Sequence, residues 1–147
     1  MEHRISDDKL LHIRGVAELM YDIAISTVHS RAAAEQAFLL GFVHDIGYVR
    51  QTENHSSVGA EMLREANYKY HDEVDNHGRL VENPSRELEM LWYCDLRVNH
   101  RGERCTLDER LAGIAERYGE ASSQYQNASA IVKHLRTKCP YLIEQGE

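Results

Sequence analysis

The doublet His44-Asp45 sets an imidazole beside a carboxylate at the end of the apolar run Leu39-Leu40-Gly41-Phe42-Val43. A nitrogen and an oxygen donor side by side suit a first-row divalent cation. Neighbours in a continuous helix point roughly 100° apart, so the two can share one centre only where the helix ends and the backbone turns. Gly47 predicts such an end, because glycine takes the left-handed conformation without a Cβ penalty. The carbonyl end of the helix dipole adds attraction for a cation there.

Four more side chains carry chemistry in the same order along the chain. His12 lies among Leu11, Ile13 and Val16, where an imidazole is either a hydrogen-bonded core histidine or a ligand. Asp95 follows Leu91, Trp92, Tyr93 and Cys94; a buried carboxylate there needs a cation, hydrogen bonds or a raised pKa, and an arginine from another helix would serve. His55 and Gly59 are four residues apart and share a helix face, and Gly59 admits the close approach of another element. Read plainly, His55 is a first-turn surface residue. His77-Gly78 closes a helix, a common place for histidine with no further role.

These residues must be positioned by helices. No strand-like alternation persists and only Pro84 and Pro140 interrupt the chain. Ser6 predicts an N-cap, with Asp7 and Asp8 in the first turn and an apolar stripe of Leu10, Ile13, Ala17, Met20 and Ala24. Ser30 caps a second helix carrying Ala34, Phe38, Leu39 and Phe42. A polar connection over 48–54 leads to a helix capped by Asn54 and running through Val58, Met62, Leu63 and Ala66. A short helix over 70–77 follows. Ser85 caps the next, which carries Leu88, Leu91, Trp92 and Asp95 on one face. Asn99 to Arg104 reads as a charged loop. Thr106-Leu107-Asp108-Glu109 is a capping box for a helix that Gly119 closes, and a last helix spans roughly 122–137. The fold class is all-α: one helical bundle of about six to eight helices, with a core over about 6–119 and the whole of 1–147 as a single domain.

The order His12, His44-Asp45, His55, His77, Asp95 resembles the HD superfamily of metal-dependent phosphohydrolases. The segments that match are His12 to Leu19, Leu40 to Gly47, His55 to Ala60, Asp75 to Gly78 and Tyr93 to Leu96. The resemblance implies that His12, His44, Asp45 and Asp95 bind one divalent metal. It also implies that His55 and His77 build a second site, with Asp45 bridging the two. His71 competes with His77 for the fifth histidine role, and Gly78 favours His77. His3, His29, His100 and His134 have no place in the pattern and read as surface residues.

The implied cofactor is a divalent metal ion, one or two per chain. Mixed imidazole and carboxylate donors suit Mn, Fe, Co, Ni or Zn better than Mg. Such a metal lowers the pKa of a bound water, so the implied activity is metal-dependent hydrolysis of a small phosphate ester or nucleotide, with Asp45 and His44 as the catalytic pair. A departure stands at Tyr48, where many family members carry a phosphate-binding lysine. Arg50, Arg79, Arg97 and Arg101 are candidates for the missing charge, and each also reads as an ordinary surface arginine. The six-ligand pattern is similar to the YqeK-like hydrolases that split diadenosine tetraphosphate symmetrically, except that Gly78 stands where threonine is expected. A non-catalytic metal- and nucleotide-binding module is an alternative, and oxygenase chemistry at a di-iron site a minor one.

Composition bounds the partners. With 24 acidic against 17 basic residues, net −7, the chain is a poor binder of duplex nucleic acid. No run of 18 apolar residues spans a membrane, and the start lacks the apolar core of a signal peptide. Cys94, Cys105 and Cys139 are an odd, widely spaced set, which reads as free thiols in a cytoplasmic protein. There is no P-loop and no Ser-His-Asp arrangement.

Overall fold

The computed structural model describes residues 5–50 and 53–143. It is helical throughout: α1 Asp7–Val28, α2 Arg31–Val43, α3 His55–Glu65, α4 His71–Asn76, α5 Arg86–Leu96, α6 Leu107–Tyr118, α7 Ser123–Lys138 and α8 Pro140–Ile143. A single 3₁₀ turn, Ile46–Val49, joins α2 to the α3 segment. The described residues contain no strand, only an isolated antiparallel bridge between Val98 and Arg104. No described helix is long and apolar enough to cross a membrane. His3 lies outside the described residues.

The helix starts follow local chemistry. Ser6, Ser30, Ser85, Thr106 and Ser122 each accept a hydrogen bond from a backbone N–H of the first turn. Thr106 and Glu109 complete the reciprocal capping box. Asn54 precedes α3 as expected, but its φ is 56° and its side chain makes no cap. α8 is a single turn after Pro140, too short to leave a periodic signal.

α1 and α2 form an antiparallel hairpin joined through His29, and this pair has the most extensive contact in the fold. The stripe expected on α1 is buried at Ile13, Ala17, Met20 and Ala24, whereas Leu10 is exposed. On α2 the expected face is the wrong one. Ala34, Leu40 and Gly41 are buried, while Phe38, Leu39 and Phe42 face outward, the two rings stacked on each other at 6.3 Å. Both faces of this helix are apolar. The small face wins because it lets the α1 and α2 backbones close together.

α5 runs through the middle of the molecule. Leu88, Leu91, Trp92, Tyr93 and Cys94 on it are buried, as are Leu107 on α6, Ile131 and Leu135 on α7, and Leu142 on α8. The 97–105 segment returns to α1, where Gly102, at φ 84°, leaves no room for a Cβ: one would lie 2.7 Å from the Leu11 backbone. The packing of α1, the α2 end, α4 and α5 around one point sets up the site.

Candidate metal centre

The bend between His44 and Asp45 is the first element of the site. His44 is still helical (φ −60°, ψ −28°), and Asp45 is not (φ −107°, ψ 18°). That change lets two consecutive side chains face the same interior. Gly47 does not make the bend by a left-handed residue, as the sequence suggested; positive φ among the described glycines is confined to Gly102 and Gly119. Its role is contact. A Cβ on Gly47 would sit 1.8 Å from the carbonyl oxygen of His55, and one on Gly59 would sit 3.1 Å from the amide nitrogen of Gly47. The two glycines let the 3₁₀ turn lie on the first turns of α3, which brings His55 beside Asp45.

All six residues singled out in the sequence meet here. His12 Nε2 is 2.7 Å from Asp95 Oδ1, and His44 Nε2 is 3.5 Å from the same oxygen. The oxygens of Asp45 are divided. Oδ2 lies 3.2 Å from His44 Nε2 and 3.8 Å from His12 Nε2, while Oδ1 lies 3.4 Å from His55 Nε2 and 3.3 Å from His77 Nε2. His12, His44, Asp45 and His77 are all buried, and Asp95 keeps partial access to the cavity. His71 is not part of the group; it opens α4 at the other end, with Nδ1 3.2 Å from its own neighbour Asp72.

Three of the imidazoles are oriented by main-chain carbonyls. His12 Nδ1 donates to Asn99 O at 3.0 Å, His44 Nδ1 to Gly41 O at 2.6 Å, and His77 Nδ1 to Val74 O at 2.6 Å. Each ring therefore turns Nε2 toward the carboxylates. This is the arrangement that outer partners impose on metal-bound histidines. The Nε2 of His44 is buried and makes no hydrogen bond of acceptable geometry. An orphaned nitrogen surrounded by carboxylates and imidazoles fits a cation. The spacing fits too: donors at right angles on bonds of about 2.0–2.2 Å are about 3.0 Å apart, close to the observed separations. His12, His44 and Asp95 form one group of donors able to hold an ion, and His44, Asp45 and His77 another.

The charges respond to this crowding. Burial alone would depress His44, but the charges of Asp45 and Asp95, whose oxygens lie 3.2 and 3.5 Å from its Nε2, outweigh it and raise its pKa to about 10. Burial would likewise raise Asp45 and Asp95. The histidines around them reverse this and hold both carboxyls well below the usual range. Lys9, one turn before His12, is the residue that sequence reasoning missed at this end. Its Nζ is 3.3 Å from Asp45 Oδ2 and 4.4 Å from the centre of the Tyr48 ring. The tyrosine at the position of the expected lysine thus carries a lysine from α1 over its face. The spacing of Lys9 and His12, three apart on one helix, was the signal for it.

A cavity of about 590 Å³ opens onto the cluster. Its walls include Lys9, Tyr48, His100, Trp92, Arg110, Arg117 and Tyr118. None of Arg50, Arg79, Arg97 or Arg101 lines it. Arg97 is engaged by Tyr93 and by the Cys105 carbonyl, and Arg79 by Asn76. His100 is exposed as expected, but it belongs to the cavity rim.

His134 departs from the surface reading. It is half-buried on α7, 2.8 Å from Glu89 Oε2 and edge-on to Trp92. Glu89 also accepts from the Cys139 thiol at 3.0 Å, whose pKa is pushed up to about 12 by burial and by this carboxylate. The group ties the end of α7 to α5 with every donor paired to one acceptor, because α7 packs its lower turns on α5.

A family model described as HD domain matches residues 10–121, from the start of α1 to just beyond α6. No curated protein matches the chain, and no solved structure does.

Proposed function

Because the chain belongs to the HD-domain family, whose members are mostly metal-dependent phosphohydrolases, we propose that it hydrolyses a small phosphate ester or nucleotide at the His/Asp cluster. In this reading His12, His44, Asp95 and Asp45 would hold one divalent ion, and His55, His77 and Asp45 would hold a second. The observation that carries the reading is the division of Asp45 between two pairs of histidines, at 3.2 and 3.8 Å on one oxygen and 3.3 and 3.4 Å on the other. Ions held there would supply Lewis acidity, lowering the pKa of water and neutralising phosphoryl oxygens.

The chain's own groups do the remaining work. Carbonyls of Gly41, Val74 and Asn99 accept from the Nδ1–H of three imidazoles and so turn each Nε2 toward the carboxylates. Asp45, buried and held ionised, gives the site its charge. Lys9 stays protonated against its burial because Asp45, Tyr48 and Asp95 surround it, so it presents a compact cation to a phosphoryl oxygen. Burial of His44 and Asp45 shields these two side chains from bulk water and strengthens the interactions between them.

The test is elemental analysis of protein purified without a chelating tag, with a panel of phosphate esters assayed on the same sample. Wild type is expected to carry about two ions per chain, His77→Ala about one, and Asp45→Ala none, with turnover falling by orders of magnitude in both variants. Full metal occupancy in Asp45→Ala would overturn the assignment. One ion in wild type and His77→Ala alike would reduce His55 and His77 to hydrogen-bonding partners of the phosphate.

A further inference from the structure

Arg110 and Arg117 stand seven residues apart on α6, two helical turns, so they project from one face with Ile114 between them. All three line the cavity that opens onto the His/Asp cluster. The Nε of Arg110 is buried and has no hydrogen-bond partner. Neither guanidinium is ion-paired with a carboxylate among the described residues. The acidic residues that open the same helix are already taken: Glu109 by the backbone and side chain of Thr106, Asp108 by Arg136. Arg117 only lies over the ring of Tyr118, at 5.1 Å.

A positive potential gathers at this wall. Burial first, then Arg117, Arg101 and Arg110, disfavour the charged form of His100, with Asp8 opposing weakly. In a chain of net charge −7, two unpaired arginines turned into one cavity are an exception to the general balance. A buried guanidinium N–H left without an acceptor bears its full desolvation cost, and an anion is the partner its fork geometry fits. The volume of about 590 Å³ is that of a site for a nucleotide-sized ligand. Lys9 already covers the anionic end near Asp45, so the arginines serve a different group of the ligand.

We propose that Arg110 and Arg117 form a second anion subsite, which holds a phosphate of the substrate other than the one cleaved at the His/Asp cluster. The substrate is then a nucleotide bearing at least two phosphates, with the half-exposed ring of Tyr118 beside the subsite as a face for its base. This rests on the reading of the cluster as a phosphohydrolase centre, but the arginines can be tested without it.

The experiment is titration calorimetry with wild type, Arg110→Gln and Arg117→Gln. In chelator-treated protein the probe is inorganic pyrophosphate. Each variant is expected to bind it at least about tenfold more weakly than wild type, the size of one charge-assisted hydrogen bond. In metal-supplemented protein the probes are ADP and AMP. The variants are expected to lose about tenfold for ADP and to keep wild-type affinity for AMP. Arg110→Lys, which keeps the charge without the fork, recovers part of the loss. Circular dichroism confirms the fold of each variant, and Arg117, exposed on α6, gives a variant that folds if Arg110→Gln does not. Unchanged pyrophosphate affinity in a folded variant, or equal loss for AMP and ADP, overturns the proposal. If pyrophosphate binding falls as expected while no ester is turned over with any metal, the subsite stands and the hydrolase reading fails.

Discussion

Replacing Gly47 by alanine tests whether backbone contact sets the geometry of the cluster. The Ala backbone is allowed there, since the φ of Gly47 is not positive, so the effect is purely steric. The new methyl would lie 1.8 Å from the carbonyl oxygen of His55 and 2.8 Å from the amide nitrogen of Gly59. Relieved non-bonded contacts are near 3.5 Å, so the 3₁₀ turn and α3 must part by well over about 1 Å. Metal sites tolerate errors in donor position of only about 0.2 Å. The separation therefore withdraws His55 from Asp45, now 3.4 Å apart, and leaves the other donors near their places. Overpacking of this kind costs about 1–3 kcal/mol, and for a chain of this size each kcal/mol lowers Tm by about 2–4 °C. Thermal denaturation in chelator, elemental analysis and turnover on the same preparation are the assays. The expected result is a Tm lower by about 2–12 °C, loss of the ion assigned to His55 and His77, and about a hundredfold drop in rate. Gly78→Ala is the control, because a Cβ there meets nothing within 4 Å and should leave Tm unchanged. A Gly47→Ala protein with wild-type Tm and full metal content would refute the argument.

Two further outcomes follow from charges. The pKa of His44, about 10, lies above its ordinary 6.5. Its stabilising contribution is complete below pH 6.5 and is lost as pH rises through 10. Asp45 and Asp95 act in the opposite sense: their contribution is present above the ordinary carboxylate value of 3.8 and is lost as pH falls below it. Chelator-treated protein should thus lose Tm steadily from neutrality toward pH 10, and metal added near neutral pH should expel about one proton, seen as buffer-dependent heats; a flat profile over that range would contradict the charge assignment. His134→Ala removes one partner of Glu89, which keeps Cys139 and Tyr141, so stability should drop by about 1 kcal/mol in denaturant titration with metal content and turnover unchanged.

What was legible in the sequence was what depends on near neighbours. Ser6, Ser30, Ser85 and Thr106 mark helix starts because capping is settled within four residues. The six His and Asp residues were visible as types and order, and their meeting point needed only helices that bring them inward. The buried face of α2 was not legible, because Phe38 and Phe42 read as core until the small residues Ala34 and Gly41 are seen to face α1. The role of Gly47 was misread for the same reason: close approach is a property of two segments, and Gly59 is twelve residues away. Arg110 and Arg117 were passed over inside a well-capped helix, although their spacing of seven placed both on one face. Lys9 and Arg110 are far apart in the chain, and no local pattern says that they border one cavity.

The carbonyls of Gly41, Val74 and Asn99 have a bearing on how the protein is made. They belong to a helix end, a helix end and a tight loop, all completed by folding alone. Three imidazoles are therefore aimed, each with its Nε2 turned inward, before any ion arrives. Maturation divides into two independent events, folding of the polypeptide and later capture of metal by a finished nest. The ordering cost of the donors is met during the first event, so the second needs little rearrangement and is governed by mass action. Affinities for this donor set rise from manganese to copper irrespective of need. The ion carried then reflects which cations are available where the chain folds, and the same polypeptide expressed under different metal supply should yield differently loaded, equally folded populations.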